Sequence, residues 1–406
     1  MGKEVYWIWL SLCFGPASTG VHRLLGNYSY DPKAIFEKEE HKDNKLTPTQ
    51  KKHLSDKNTD MAEQIVRWCE DNKVGILCYD DETYPRRLAS LDDAPIVLYY
   101  IGELYDIDAL FCVAGVGTRS MTVYGRDVSY SISYDLARAG AIVVSGLAAG
   151  IDTSVHKGAI DAGGRTIAVL GNRINKVYPA SNRDLMRYIA RNGLLITEYH
   201  PFYHTTPKNY PQRNRLISGL CQCTVIFEAD EGSGSLITAK YAIKQGRRVF
   251  SVPGKIGETN ALGTNQLIKE GATPLTRASD IIEDFRYLYK YQLSTDRLYD
   301  YSPAKKIYNS YIKRKNKLQK KVCTPKPVLN DEGEPPEEKI TSEPDLSEYS
   351  DTDRLIYSAL TYDKPLTIEE IDLPGISTAQ KLATLTIFEL DGIIKELPGN
   401  RYIKNR

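Results

Sequence analysis

Six short apolar runs punctuate the middle of the chain: 110–116 (LFCVAGV), 141–145 (AIVVS), 166–170 (TIAVL), 194–198 (LLITE), 224–228 (TVIFE) and 248–252 (RVFSV). Each is continuous rather than alternating, the pattern of a strand covered on both faces. Helical segments such as 182–192 and 235–245 lie between them. Residues 76–285 therefore predict an α/β domain with a doubly wound, mostly parallel sheet. In that architecture ligands bind beyond the carboxyl ends of the strands.

The flanks differ. Residues 1–75 read as helices interrupted by Gly15, Pro16, Gly20, Gly26 and the Asp31-Pro32 turn. The segment FGPASTGVHRLL fits a phosphate-gripping helix-hairpin-helix or a plain helical scaffold, and the mixed charge of KEEHKDNK suits the scaffold. The apolar stretch 5–14 lacks the flanks of a signal peptide. No stretch reaches the roughly 18 apolar residues that span a bilayer. A soluble, cytoplasmic chain without a membrane partner is expected. Residues 286–350 change character: 305–321 carry eight Lys or Arg and no carboxylate, and 331–353 carry ten Asp or Glu. Opposite charge blocks with few aliphatics predict a disordered linker. Helical periodicity returns over 351–406 and ends in a turn at Pro398-Gly399 and a closing strand, which suggests a winged helix.

Over the whole chain 53 Lys and Arg balance 52 Asp and Glu, so any affinity for nucleic acid must come from local clusters. Seven cysteines without a C-x-x-C pair argue against a disulfide framework and a zinc ribbon. One cluster stands out. No carboxylate occurs between Glu198 and Glu228, where Lys208, Arg213 and Arg215 are interleaved with Tyr199, Phe202, Tyr203 and Tyr210. Cations that track a backbone, with ring faces for bases, describe a surface for single strands. The alternative is a basic cap over the sheet edge.

Three strand ends carry glycine turns. In GVGTRS, Gly115 and Gly117 allow close backbone approach, Thr118 and Ser120 can cap a helix, and Arg119 offers a fork for phosphate. SGLAAGID places Ser145 and Gly146 at the second turn, with Asp152 as a helix cap, and EADEGSGSLITA places Gly232, Ser233, Gly234 and Ser235 at the third. Each turn alone is an ordinary βα connection, but three on one sheet edge suit a phosphate-rich ligand. Ser120 stands where a dinucleotide fingerprint needs its third glycine, so NAD and FAD are disfavoured and no cofactor is expected. No P-loop or G-x-S-x-G elbow occurs, and no histidine has a partner at ligand spacing, so neither catalytic residues nor a metal site are expected.

These blocks, in this order, resemble the DNA-processing protein A (DprA/Smf) family of bacteria. The resemblance runs through DETYPRRL (81–88), GTRSMTVYG, SGLAAGIDTSVHKGAI, VYPASNRDL, PQRNRLISGL, EADEGSGSLITA and LGTNQLIKEGA. It implies an extended Rossmann-like domain between an N-terminal domain like a sterile alpha motif and a C-terminal winged helix. It implies a non-enzymatic protein that binds single-stranded DNA, loads the RecA recombinase in natural transformation, and forms a homodimer through the central domain. By matched position, phosphates would meet Gly117, Thr118, Arg119, Ser145, Gly146, Arg213, Asn214 and Arg215, and Gly232 to Ser235 would complete the pocket. Lys208 matches a lysine bordering the groove, and Tyr210 stands where the family has phenylalanine. A different class, the phosphoribohydrolases, shares a glycine-looped sheet, but Thr238 or Ala239 takes its catalytic glutamate position.

Overall fold

The first apolar stretch becomes a core helix. In the computed structural model, which describes residues 2–41, 43–295, 298, 346, 349–390, 393–397 and 401–404, α1 (Lys3–Phe14) is followed by α2 (Thr19–Gly26), α3 (Pro32–Glu37), α4 (Pro48–Ser55) and α5 (Asp60–Asp71). Trp7, Ile8 and Leu10 of α1 are fully buried. A capping box of Thr47 and Gln50, with Pro48 at the first turn, explains where α4 begins.

The chain then alternates strand and helix: β1 (Gly75–Cys78), α6 (Arg86–Ala89), β2 (Val97–Gly102), β3 (Cys112–Val116), α7 (Val123–Arg138), β4 (Ile142–Ser145), α8 (Ile151–Asp161), β5 (Thr166–Val169), α9 (Arg183–Asn192) and β6 (Leu194–Thr197). After these come α10 (Asn209–Gly219), β7 (Cys223–Ile226), α11 (Gly234–Lys244), β8 (Arg248–Ser251), α12 (Thr259–Lys269), β9 (Thr273–Pro274) and α13 (Ser279–Phe285). Among the described residues the strands form one sheet in the order β1-β2-β6-β5-β4-β3-β7-β8-β9. The pairs β1–β2 and β2–β6 are antiparallel and the rest parallel. The architecture is Rossmann-like, and each of the six apolar runs supplies a strand.

Two compact units divide the chain, Met1–Val322 and Cys323–Arg406. In the first, α7 and α8 pack beside one another and supply, with α13, an apolar cluster containing Val113, Val143, Val225 and Phe250. A second cluster joins Ala114, Val144 and Ile226 to Leu216 of α10 and Ala239 of α11. A third runs unbroken from α1, α2 and α5 into Val97 and Tyr99 of β2, Ala168 of β5 and Leu195 of β6. The N-terminal helices thus share a core with the sheet. Among the described residues no helix is long and apolar enough to cross a membrane.

The second unit holds α14 (Asp351–Ala359), β10 (Leu366–Thr367), α15 (Thr378–Leu390), β11 (Ile394–Leu397) and β12 (Arg401–Lys404). The strands form an antiparallel sheet in the order β10-β12-β11 around Ile356, Leu385, Phe388 and Tyr402. A capping box of Ser350 and Asp353 starts α14. The basic block 305–321 and the acidic stretch 331–345 lie outside the described residues.

Candidate nucleic-acid interface

The loops after β3, β4 and β7 lock together. Thr118 N–H donates to Glu228 O (2.8 Å) and Ile151 N–H donates to Thr118 O (3.1 Å). A Cβ at Gly117 would lie 2.6 Å from Ile151 Cγ1, and Gly150 has φ +80° with Thr118 O 2.4 Å from where its Cβ would be. Only glycine allows this approach. Arg119, next in the loop, is exposed and stands 5.5 Å from the Tyr210 ring centroid. Tyr210 in turn lies 5.2 Å from the ring of Tyr178.

The helix α10 sends three consecutive polar side chains in different directions, because residues on a helix are about 100° apart. Arg213, 3% exposed, donates Nη1–H to the carbonyls of Gly146 and Val169, and so ties the loop after β4 and the end of β5 to the helix. Asn214 donates to Gly234 O (3.3 Å). Arg215 turns away. Its Nη1 and Nη2 grip Glu198 Oε1 and Oε2 at 2.9 and 2.7 Å, with side chains 1% and 2% exposed. The structure therefore corrects the expectation for Arg215: it does not reach the cleft, because a buried carboxylate on the opposite side holds it.

Ser145 is corrected in the same way, whereas Gly146 lines a small recess beside the cleft together with Arg119 and Tyr210. The buried Ser145 hydroxyl donates to Gly115 O (2.6 Å), bracing β4 against β3. Gly146 N–H donates to Asp152 Oδ2 (3.1 Å), so this amide is already engaged. Asp152 also accepts from Ala148 N–H (3.3 Å), and Gly150 rather than Asp152 is the helix cap. Burial pushes the Asp152 carboxyl up, and the Arg213 charge beside it pulls it back. Burial likewise lowers the Arg213 pKa, and Asp152 opposes that.

What remains is a cleft of about 310 Å³ lined by Gly117, Thr118, Arg119, Tyr210, Arg213, Asn214, Ser233, Gly234 and Ser235, together with Asp152, Ile217 and Thr238. Ser233 caps α11: its Oγ accepts from Ser235 N–H (3.3 Å) and lies 2.7 Å from Ser235 Oγ. The first turn of α11 therefore borders the cleft at Ser233, Gly234 and Ser235, the end of a helix that favours negative charge. Gly232 is exposed beside this turn, with nothing near its would-be Cβ. Lys208 is exposed at the start of α10, outside the cleft lining. Thr238 was not anticipated as a site residue. Its buried hydroxyl has no hydrogen-bond partner among the described residues and lies on the cleft floor; its position one turn after Ser235 was the available signal. Among the described residues no three His, Cys, Asp or Glu side chains gather as metal ligands.

His156, on α8 beneath the cleft, is fully buried. The Thr166 hydroxyl donates to Val143 O (2.6 Å) and lies 2.7 Å from His156 Nδ1, so it must accept from Nδ1–H. Burial, then the Arg213 charge, pushes this imidazole down to about 3. An unfolded imidazole titrates near 6.5. The stability of the neutral ring is therefore complete above that pH and is lost as pH falls toward 3. Denaturant titrations from pH 7 to about pH 4.5 should show wild type losing stability at up to roughly 1.4 kcal/mol per pH unit more steeply than His156→Asn. His200, pushed down to about 4 by burial, adds a slope of the same sign to both proteins.

The profile described as DNA recombination-mediator protein A matches residues 75–286, which contain every cleft loop. The DNA processing protein DprA of Streptococcus pneumoniae is 39% identical over 207 residues, 51% of this chain and 73% of that protein. The DNA processing protein DprA of Bacillus subtilis is 39% identical over 201 residues, 50% of this chain and 68% of that protein. The X-ray structure of DNA processing protein A from Streptococcus pneumoniae superposes with a TM-score of 0.61 at 30% identity, covering 70% of this chain and 99% of that one.

Proposed function

The chain belongs to the DNA recombination-mediator protein A family, and from that premise we propose that its cleft binds single-stranded DNA and that the protein serves DNA recombination and natural transformation. The observation that carries the reading is the cleft itself: an exposed guanidinium over a tyrosine ring, facing the capped first turn of α11. A phosphate fits between Thr118, Arg119 and Ser233–Ser235, and an adjacent base fits against Tyr210. Arg213 and Asn214 shape this site, and Lys208 adds charge at its border.

The protein acts as a binding module and not as an enzyme in this reading, in support of which Asp152, the carboxylate in the cleft lining, is already engaged by backbone amides. RecA is the partner we assign, and a homodimer through the Rossmann-like domain is the assembly, both on the strength of family membership. The helices and small antiparallel sheet after Ser350 suit a winged helix, residues 1–75 a domain like a sterile alpha motif, and the cytoplasm is the compartment.

Filter binding of labelled single strands, with unlabelled duplex as competitor, tests the function. Affinity should be little dependent on sequence and should fall, in log terms, by about 0.7 per phosphate contact for each tenfold rise in salt. Duplex of equal length competing as well as single strand would overturn this reading of the cleft.

A further inference from the structure

We propose that residues 286–291 form a second contact surface for single-stranded nucleic acid, at the end of the sheet opposite the cleft. The cleft lies past the carboxyl ends of the strands, after Val116 of β3. The second surface is fastened at their amino ends, around Phe111, which precedes β3.

The fastening is extensive. Gln292 Oε1 accepts from Phe111 N–H (2.6 Å), and its Nε2–H donates to Gly140 O (2.7 Å). Ser294 N–H donates to Ala139 O (3.0 Å). Gly140 has φ +106°, and a Cβ there would stand 2.2 Å from Gln292 O. The rings of Phe285 and Tyr289 lie 4.8 and 5.2 Å from that of Phe111, and Leu293 is buried.

Between these anchors the chain turns large side chains outward. Tyr287 is 77% exposed, Leu288 77% and Tyr291 95%. A cation lies over each exposed ring: the Arg286 guanidinium 4.8 Å from the Tyr287 centroid, and Lys290 Nζ 4.8 Å from that of Tyr291. Arg286 also donates to the Tyr287 hydroxyl (3.0 Å). No carboxylate occurs between Asp284 and Asp296, and Asp284 is paired with Arg248 at 2.6 Å. Exposed rings on an anchored backbone forgo the stabilisation that burial brings. Ring faces for bases with cations for phosphates are the chemistry of single-strand contact. The basic block 305–321 follows on the same chain and adds charge of the same sign.

A strand must pass around the sheet to touch both surfaces, so the test is length. Full-length protein carrying Tyr287→Ser with Tyr291→Ser is compared with wild type on oligonucleotides of about 6 and about 40 nucleotides. The long strand should bind roughly tenfold or more weakly to the double variant, and the short one equally to both proteins. Tyr287→Phe with Tyr291→Phe, which keeps the ring faces, should retain most of the long-strand affinity. Equal long-strand affinity for wild type and the serine variant overturns the proposal, including the outcome in which the variant loses only a protein partner. Failure of the short strand to bind wild type instead counts against the cleft.

Discussion

Arg119→Ala is expected to weaken binding of single-stranded DNA by roughly ten- to a hundredfold while leaving the fold intact. A hydrogen bond to a charged group contributes about 1.5–3 kcal/mol, which is that range of affinity. The magnitude rests on preorganisation. Arg119 follows Thr118, whose backbone is held by Glu228 O and Ile151 N–H, so little backbone freedom is lost when phosphate binds. Of the cationic side chains lining the cleft, Arg213 faces Asp152 and backbone carbonyls, which leaves Arg119 to meet the ligand. Lys208→Ala should cost much less, because an exposed lysine outside the lining acts as a mobile point charge. Anisotropy titrations at one salt concentration, with thermal melts as the folding control, make the comparison. Equal and small losses from both variants would remove the preformed arginine site.

Arg215→Ala should act on the fold and not on the ligand. Removing one partner of a buried ion pair costs about 3–5 kcal/mol, because the other charge is left unpaired away from water. Glu198, with its side chain 2% exposed, would be that charge. Denaturant titration should show the loss, and replacing Glu198 by Met together with Arg215→Met should recover much of it. The affinity of the folded fraction for single strands should change little. A stable Arg215→Ala protein that no longer binds DNA would reverse the assignment.

The parallel strands were legible because burial on both faces demands unbroken apolar runs. Three strands of the nine-stranded sheet were not. β1 and β2 pair antiparallel at one edge, and β2 mixes buried Tyr99 with half-buried Tyr100. β9 is two residues ending in proline, which suits an edge that needs no further donor. In the cleft, glycine, threonine and arginine types marked the turns correctly as neighbours. Residue type could not distinguish Arg213 from Arg215, because the difference lies in helical direction and in a carboxylate seventeen positions away. Asp152 and Thr238 owe their places to packing between loops that the chain order does not reveal.

The apolar cluster shared by the N-terminal helices and the sheet bears on how the protein can be dissected. The profile match begins at residue 75, an inviting place to cut. A fragment starting there would leave Val97, Tyr99, Ala168, Met186, Ile189 and Leu195 without the helices that now cover them. So large an adhesive face drives aggregation, or recruits a second fragment through a surface that the intact chain keeps sealed. Stoichiometry measured on such a piece would report the wound made by the cut.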